Sequence, residues 1–260
     1  MWRFLRVAVL LFILATVAQT AWLARARTAE WKTSLRVVIY PIRADATDAS
    51  ARYVSGLQAT VFAPIDEFFK QEGAKYEVGP HTPIDTRVAP AIAYRPPPAP
   101  FGGGKLDVIL WSLRLRYWAW WNDTHKGPKP DVRIFVMYHD PETSPRLAHS
   151  TGLQKGLIGV VNAFARSDMD GENNVVIAHE LLHTLGATDK YDFTSNRPLH
   201  PDGYADPDAT PLHPQRRAEI MAGRIPVSES RAEPPRGMRQ VVIGAKTARE
   251  INWVRGPVKP

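Results

Sequence analysis

The stretch VVIAHELLHTLGATDKYD, residues 175–192, decides how the rest of the chain is interpreted. Its apolar residues recur along one side of a helix, so the helix Asn174–Leu185 is expected to pack on its back face. His179 and His183 lie four residues apart, which places both imidazoles on the same face, one turn above the other. Gly186 follows three residues after His183, where a residue free to adopt a positive φ can end the helix and turn the chain.

Two histidines at this spacing are suited to a single metal ion. Zinc is bound by neutral imidazole, and a catalytic zinc site has three protein ligands and an open position for water. Glu180 is placed to act as the general base that takes a proton from a zinc-activated water. Asp189 can return to the two histidines as the third ligand once the chain has turned. Other acidic residues and one histidine are also within reach in the sequence, so four alternatives remain open: Asp192, His200, Asp202 and Glu219.

The pattern His179-Glu180-x-x-His183-x-x-Gly186-x-x-Asp189 resembles the extended zinc motif of metzincin-type peptidases, with Asp where most members have a third histidine. Its continuation to residue 192 resembles the immune inhibitor A type of secreted bacterial metallopeptidase, and the Asp variant resembles the snapalysins. The resemblance covers residues 172–192 and implies zinc bound by the two histidines and the aspartate, with the glutamate as general base. It also implies that an edge strand above the cleft pairs with extended substrate, a role assigned here to residues 156–162.

A second resemblance concerns the segment AEIMAG, residues 218–223, which is similar to the methionine turn beneath the metal in the same family. Met221 would supply the floor of the site, although a methionine in an ordinary core turn is the alternative. Many metzincins place a tyrosine two residues after this methionine to help bind the oxyanion. Gly223 stands there in this chain, and Tyr191 and Tyr204 are the candidates for that role.

The amino terminus predicts export from the cytoplasm. A positively charged start is followed by an apolar run from Val7 to about Leu23, at the short end of a membrane span. Residues 1–30 are therefore predicted to be an uncleaved signal-anchor, with a cleaved signal peptide or a buried helix as alternatives, and residues 31–260 to be the catalytic domain. The expected location is the bacterial cell membrane, with the catalytic domain facing the periplasm or exterior, or the medium after signal cleavage.

Composition restricts the possible classes of protein. The chain has 260 residues, of which 44% are hydrophobic and 23% charged, as in a globular protein. The net charge of +7 is scattered, with no nucleic-acid-binding motif, so no nucleic-acid partner is expected. The absence of cysteine excludes a thiol nucleophile, a disulfide and a thiolate-ligated metal.

Several elements follow from hydrophobic periodicity and from the positions of proline and glycine. A helix is predicted from Thr47 to about Gln71, kinked or split at Pro64, and residues 79–104 are predicted to be a proline-rich loop or lid. The predicted strands are Leu35–Tyr40, Leu106–Trp121, Val132–Tyr138 and Leu157–Phe164.

Three finer predictions concern helix ends and aromatic residues. Asp168 or Asp170 is predicted to cap the histidine-bearing helix. The sequence from Thr247 to Glu250 matches a capping box that begins a short final helix running through Trp253. The tryptophans near residue 120 are predicted to pack at an end of the sheet, with a substrate or membrane platform as the alternative; they are Trp118, Trp120 and Trp121.

Together these observations predict an α/β (α+β) fold of metzincin-like architecture, with a mixed twisted sheet and an active-site helix in a single catalytic domain. The expected function is zinc-dependent hydrolysis of peptide bonds in a peptide or protein substrate, by an enzyme tethered to the membrane through its N-terminal helix. Two alternatives are a non-catalytic peptide-binding module of the same fold and a zinc hydrolase that acts on cell-wall amide bonds.

Overall fold

The computed structural model describes residues 30–100, 102 and 104–254, together with residues 2, 4, 6, 7 and 11. The predicted signal-anchor at residues 1–30 therefore lies almost entirely outside the described residues. Within the described part of the chain, no helix combines the length and the apolar character needed to cross a bilayer.

Five strands form one mixed sheet, which confirms the coarse α/β expectation. The order across the sheet is β2-β1-β3-β5-β4, and only β4 runs antiparallel to its neighbour. The strands are β1 (Leu35–Arg43), β2 (Ile84–Val88), β3 (Val132–His139), β4 (Thr151–Leu153) and β5 (Ile158–Phe164).

Helices cover both faces of this sheet. The predicted break near Pro64 is confirmed, because one helix ends at Gly56 and the next begins at Ala63 with this proline in its first turn. The helices are α1 (Asp48–Gly56), α2 (Ala63–Lys75), α3 (Lys105–Trp121), α4 (Asp170–Leu185) and α5 (Ala245–Glu250). Short strand pairs complete the carboxyl-terminal part: β6 (Ala218–Glu219), β7 (Ile225–Pro226), β8 (Ala232–Glu233) and β9 (Val241–Val242).

Alternation along the strands divides the core into two buried clusters. In β1, Val37 and Ile39 face the side on which α2 and α4 pack, whereas Val38 and Tyr40 face α3. Because both faces are covered, β1 is buried along nearly its whole length. The histidine-bearing helix α4 and the helix α3 therefore lie on opposite sides of the sheet.

The prediction of a strand at Leu106–Trp121 is wrong, since this segment forms the helix α3. Its buried residues Trp111, Leu115 and Ala119 are spaced by four, which is a helical period. The apparent strand alternation arose because the solvent side of this helix is also apolar. Trp118 packs on Phe135 of β3, with ring centroids 4.9 Å apart, but the prediction that the tryptophan cluster packs on the sheet is wrong for Trp120 and Trp121, which are exposed.

Three further predictions about strands are also wrong: one boundary, one missed strand and the choice of the edge strand. β1 continues past Pro41 to Arg43, and the carbonyl of that proline accepts a hydrogen bond from the Ile92 N–H. The proline-rich segment is not wholly a loop, because it contains β2. The segment chosen as the edge strand, residues 156–162, falls largely in β5, which lies between β3 and β4; β4 is the edge.

Both capping predictions are wrong for the same reason, namely that the side chains have other partners. Asp168 forms an ion pair with Arg166, and Asp170 accepts a hydrogen bond from the Tyr53 hydroxyl, so the N-cap of α4 is Met169 without a side-chain bond. The last helix begins after Gly244 instead of Thr247, whose hydroxyl donates to a buried glutamate.

Candidate metal centre

The end of α4 is shaped by Gly186, as the sequence predicted. This glycine has φ of 113°, in the region that L side chains rarely adopt, and its N–H bonds back to the helix. The next N–H, that of Ala187, donates to the Leu182 carbonyl at 3.0 Å, which closes the turn. The turn also brings the Ala187 carbonyl to the side chain of His183, 2.8 Å from its Nδ1.

Asp189 returns to the two histidines, as predicted. Its Oδ1 lies 3.2 Å from Nε2 of His179 and 3.1 Å from Nε2 of His183. Ligand atoms around a tetrahedral zinc with bonds of about 2.0–2.1 Å are separated by roughly 3.3–3.4 Å, close to these values. Glu180 is also near, since its carboxylate and both imidazoles lie within 4.8 Å of one another. Asp189 is the better-placed candidate for a third ligand, because a single oxygen of its carboxylate lies within 3.2 Å of both rings.

The hydrogen bond at Nδ1 of each imidazole determines whether its Nε2 has a lone pair that can bind a metal. His179 Nδ1 lies 2.9 Å from the Ile220 carbonyl, and His183 Nδ1 lies 2.8 Å from the Ala187 carbonyl. A neutral imidazole that donates from Nδ1 carries its lone pair on Nε2. Two lone pairs then point at the buried Asp189 Oδ1, which has a hydrogen-bond donor only when one of the rings carries a proton on Nε2. Such a set of acceptors needs a cation or a proton between them, and this donor set is one that zinc prefers.

The electrostatics of the site agree with this geometry. Burial alone would lower the pKa of His179, but the hydrogen bond to Asp189 and the charge of Glu180 raise it above its ordinary value. Burial would raise the pKa of Asp189, but both histidines hold it well below its ordinary range. The site therefore stabilises positive charge between these side chains, whether a proton or a metal ion supplies it.

Glu180 has the environment expected of a general base. Its side chain is buried on α4, and its Oε2 has no hydrogen-bond partner. Burial raises its pKa, and the neighbouring imidazoles oppose this effect. A buried carboxylate oxygen without a partner is costly, so a proton or a water molecule in contact with it would relieve that cost.

The turn that contains Met221 lies against the site through its backbone. Met221 is fully buried in a 3₁₀ turn, Ile220–Ala222, and the carbonyl that receives His179 belongs to this turn. The Met221 carbonyl accepts a hydrogen bond from the N–H of Lys190, beside Asp189. This turn therefore orients His179 directly and fixes the backbone next to Asp189; the sequence predicted the position of the turn but not these backbone contacts.

Glu219 organises that turn, and sequence reasoning missed this role. Its Oε2 accepts from the N–H groups of Met221 and Ala222, at 2.7 and 3.1 Å. Its Oε1 accepts from the Gly244 N–H and the Thr247 hydroxyl, at 3.1 and 2.6 Å. All four acceptor positions of this fully buried carboxylate are thus used, and Glu219 is not a metal ligand.

The other alternative ligands lie elsewhere. Asp192 accepts hydrogen bonds from the backbone and side chain of Ser195, and Asp202 pairs with Lys246 at 2.8 Å. His200 bonds to a loop carbonyl and packs edge-on against Tyr204. The structure therefore brings together four of the predicted site residues, His179, Glu180, His183 and Asp189, and excludes these alternatives.

Of the two tyrosines considered for binding the oxyanion, only one lies near the histidines. Tyr204 contacts His213 through its hydroxyl, at 3.1 Å, and takes no part in the site. Burial raises the pKa of Tyr191, and the charges of Asp189 and Glu180 raise it further. Tyr191 is thus the candidate that lies close to the ligands.

The edge strand β4 lies directly beside the histidine-bearing helix α4. A Cβ on Gly152 would come 2.6 Å from the Cβ of His183 and 2.7 Å from the Glu180 carbonyl oxygen. Only glycine allows the backbone of β4 to approach α4 this closely. The edge of the sheet is therefore within van der Waals contact of the site.

Comparison with known proteins gives no independent identification, because no protein-family model matches the chain and no curated protein is similar to it in sequence. The function of the chain is therefore inferred from the geometry of the site itself.

Proposed function

We propose that this chain is a zinc-dependent endopeptidase of metzincin-like architecture, in which His179, His183 and Asp189 hold the metal. The observation that supports this most is the convergence of two Nε2 atoms and one carboxylate oxygen, while the opposite nitrogen of each ring lies against a backbone carbonyl. When bound, zinc would supply a Lewis acid that polarises the scissile carbonyl and lowers the pKa of water.

Glu180 has the role of general base in this proposal. We call His179, His183 and Asp189 the ligand cluster. The Oε2 of Glu180 is buried without a hydrogen-bond partner, and its carboxylate lies within 4.8 Å of both imidazoles, so it can accept a proton from the attacking water beside this cluster. Burial raises the pKa of Glu180, the direction that suits a carboxylate that accepts a proton from water and then passes it to the leaving amine. A binding module would not need this buried carboxylate, whose desolvation is unfavourable.

Substrate binding by strand addition is proposed at β4 in place of the inner strand β5. β4 is the edge of the sheet, and Gly152 places its backbone against His183 and Glu180. An extended peptide that added to this edge would have its backbone groups paired and its scissile bond next to the metal ligands. The proposed location remains outside the cytoplasm, with the domain tethered by residues 1–30.

The test is metal content and peptide cleavage of the purified full chain. We expect one zinc per chain and cleavage of a mixed peptide library, with Glu180→Gln retaining zinc but losing cleavage. Asp189→Asn should lose zinc as well. Glu172→Gln in the first turn of the same helix and Asp192→Asn, whose side chain is engaged in its own turn, are matched controls that should retain both.

Each outcome distinguishes between the alternatives. Cleavage that persists in Glu180→Gln would refute the proposed role of the base. Zinc bound at full affinity without Asp189 would remove this residue as a ligand. Zinc binding without cleavage of any peptide would favour a non-catalytic module, and absence of zinc from the wild type would refute the metal site.

A further inference from the structure

The helix α3 has two apolar faces, of which only one is packed in the protein. Trp111, Leu115 and Ala119 are buried against the sheet. The opposite face carries exposed apolar residues at helical spacing, so it forms a continuous stripe. With their exposed fractions, its members are Leu106 (74%), Ile109 (53%), Leu110 (54%), Leu113 (54%), Tyr117 (62%), Trp120 (67%) and Trp121 (69%).

We call this stripe the outer face of α3. A helix that is apolar all round is normally buried, and large exposed apolar patches on soluble domains mark interaction sites. Among the described helical residues after position 11, no other helix exposes a comparable set of large side chains; before it, Trp2, Phe4, Val7 and Leu11 are also exposed. The outer face is therefore expected to have a partner, and its chemistry indicates which one.

The residue types of the outer face change along the helix. Aliphatic residues occupy its first half, and an aromatic group of Tyr117, Trp120 and Trp121 occupies its end, with ring centroids 6.0–6.2 Å apart. Unlike Trp118, which packs on the sheet, these three rings are exposed. Tryptophan and tyrosine are the residues that concentrate at the boundary between lipid headgroups and acyl chains.

The charges that flank the outer face are basic. Arg114 is exposed on the helix, and Lys126 and Lys129 are exposed in the loop that follows the aromatic group. The one acidic residue of α3, Asp107, accepts a hydrogen bond from the Gly104 N–H at the start of the helix. Apolar and aromatic residues bordered by Lys and Arg are the composition of helices that lie in the interface of anionic membranes.

We propose that the outer face of α3 binds a membrane surface that contains anionic lipids, with the helix lying in the plane of the interface. This contact is additional to any anchor in residues 1–30 and does not depend on the metal centre. Because α3 and α4 pack on opposite faces of the sheet, the bound domain directs its ligand cluster away from the lipid. Charge complementarity favours lipid headgroups over a second copy of this basic chain.

The absence of cysteine makes a direct test possible in the full chain. A single cysteine replaces Leu113 on the outer face, and the matched control replaces exposed Gln71 on α2, which packs on the other side of the sheet. Each is labelled with an environment-sensitive fluorophore and mixed with vesicles of phosphatidylcholine, with or without phosphatidylglycerol and with quencher-bearing lipids. Because both variants keep residues 1–30, an anchor contributes equally to both.

We expect the label at position 113 to shift to the blue and to be quenched by lipid in the phosphatidylglycerol vesicles, while the label at position 71 remains solvent-like. Adding Arg114→Glu should weaken partitioning about fivefold or more, and salt should weaken it further. Equal quenching at both positions, or no quenching at 113, would overturn the proposal. Protection of position 113 without lipid would also overturn it: concentration-dependent protection indicates a second copy, and concentration-independent protection indicates the N-terminal segment.

Discussion

Replacing Glu219 tests whether its turn holds the metal site. Glu219→Ala removes a carboxylate that accepts four hydrogen bonds, and it leaves the buried N–H groups of Met221 and Ala222 and the partly buried N–H of Gly244 without a partner. Because the Ile220 carbonyl lies in this turn, loss of the turn releases the ring of His179. Glu219→Ala should therefore affect both stability and zinc affinity.

The expected loss of stability follows from the number of hydrogen-bond donors that lose their acceptor. Each unpaired buried N–H costs about 1–3 kcal/mol, so Glu219→Ala should lower the free energy of unfolding by roughly 3–6 kcal/mol after partial relaxation. Glu219→Gln is milder, because its amide nitrogen can donate to the Thr247 hydroxyl while its oxygen continues to accept from Met221 and Ala222. The Gly244 N–H and the Thr247 hydroxyl proton then lose this acceptor, at a cost of about 1–3 kcal/mol.

The assay measures denaturant unfolding and zinc affinity for both variants, with Thr247→Val as a control that removes one donor. Glu219→Ala should weaken zinc binding about 10–100-fold, as is typical when a group that orients a ligand is lost, while Glu219→Gln should retain most of it. Equal zinc affinity in the wild type and Glu219→Ala would refute the proposed connection between the turn and His179. Equal loss in both variants would show that the charge of Glu219, and not its geometry, supports the site.

Three further predictions concern the backbone near the site and the acid stability of the fold. Gly186→Ala should destabilise the protein by about 1–3 kcal/mol, because φ is 113° there, and should weaken zinc binding; unchanged unfolding would refute the strain argument. Gly152→Ala should reduce cleavage more than stability, since its Cβ would overlap His183 at 2.6 Å, and kcat/KM measured beside unfolding checks this. Burial would raise the pKa of Asp45, but hydrogen bonds from Ser50, Asp140 and Thr47 hold it well below its ordinary value. A lowered pKa stabilises the fold above about pH 4 and this stabilisation is lost as the pH falls, so Asp45→Asn should cost about 1–2 kcal/mol at neutral pH and flatten the acid limb of unfolding.

The ligand cluster could be predicted from the sequence because its geometry is local. His179 and His183 share a face at helical spacing, and Gly186 ends the helix three residues later. Because the chain turns back at Gly186, Asp189 comes to lie close to the two histidines. What the sequence could not show is the set of distant partners, since the Ile220 carbonyl and Glu219 reach the site only through tertiary contacts.

The helix α3 was mispredicted because the hydrophobic pattern gives the period only when one face is polar. Both faces of α3 are apolar, so the alternation from Trp111 to Tyr117 resembled a strand. Length would have been the better guide, since the apolar segment of about 16 residues exceeds a typical strand of 4–8 residues. The same property that misled the prediction, an apolar outer face, is the basis for the proposed membrane contact.

The two histidines depend on the fold to different extents, and this determines how zinc and folding are coupled. The partner of His183 Nδ1 is the Ala187 carbonyl, four residues away in the turn that ends its own helix, whereas His179 needs a carbonyl 41 residues away. Local helix formation can therefore orient His183, but only the folded chain orients His179. Zinc should bind the folded state preferentially and raise the free energy of unfolding by about 2.7 kcal/mol at a free concentration 100 times Kd. In Glu219→Ala the gain in unfolding free energy from zinc should be smaller at equal zinc concentration, because its folded state orients His179 no better than its unfolded state does. An undiminished gain in that variant would show that His183 and Asp189 alone are sufficient for zinc binding.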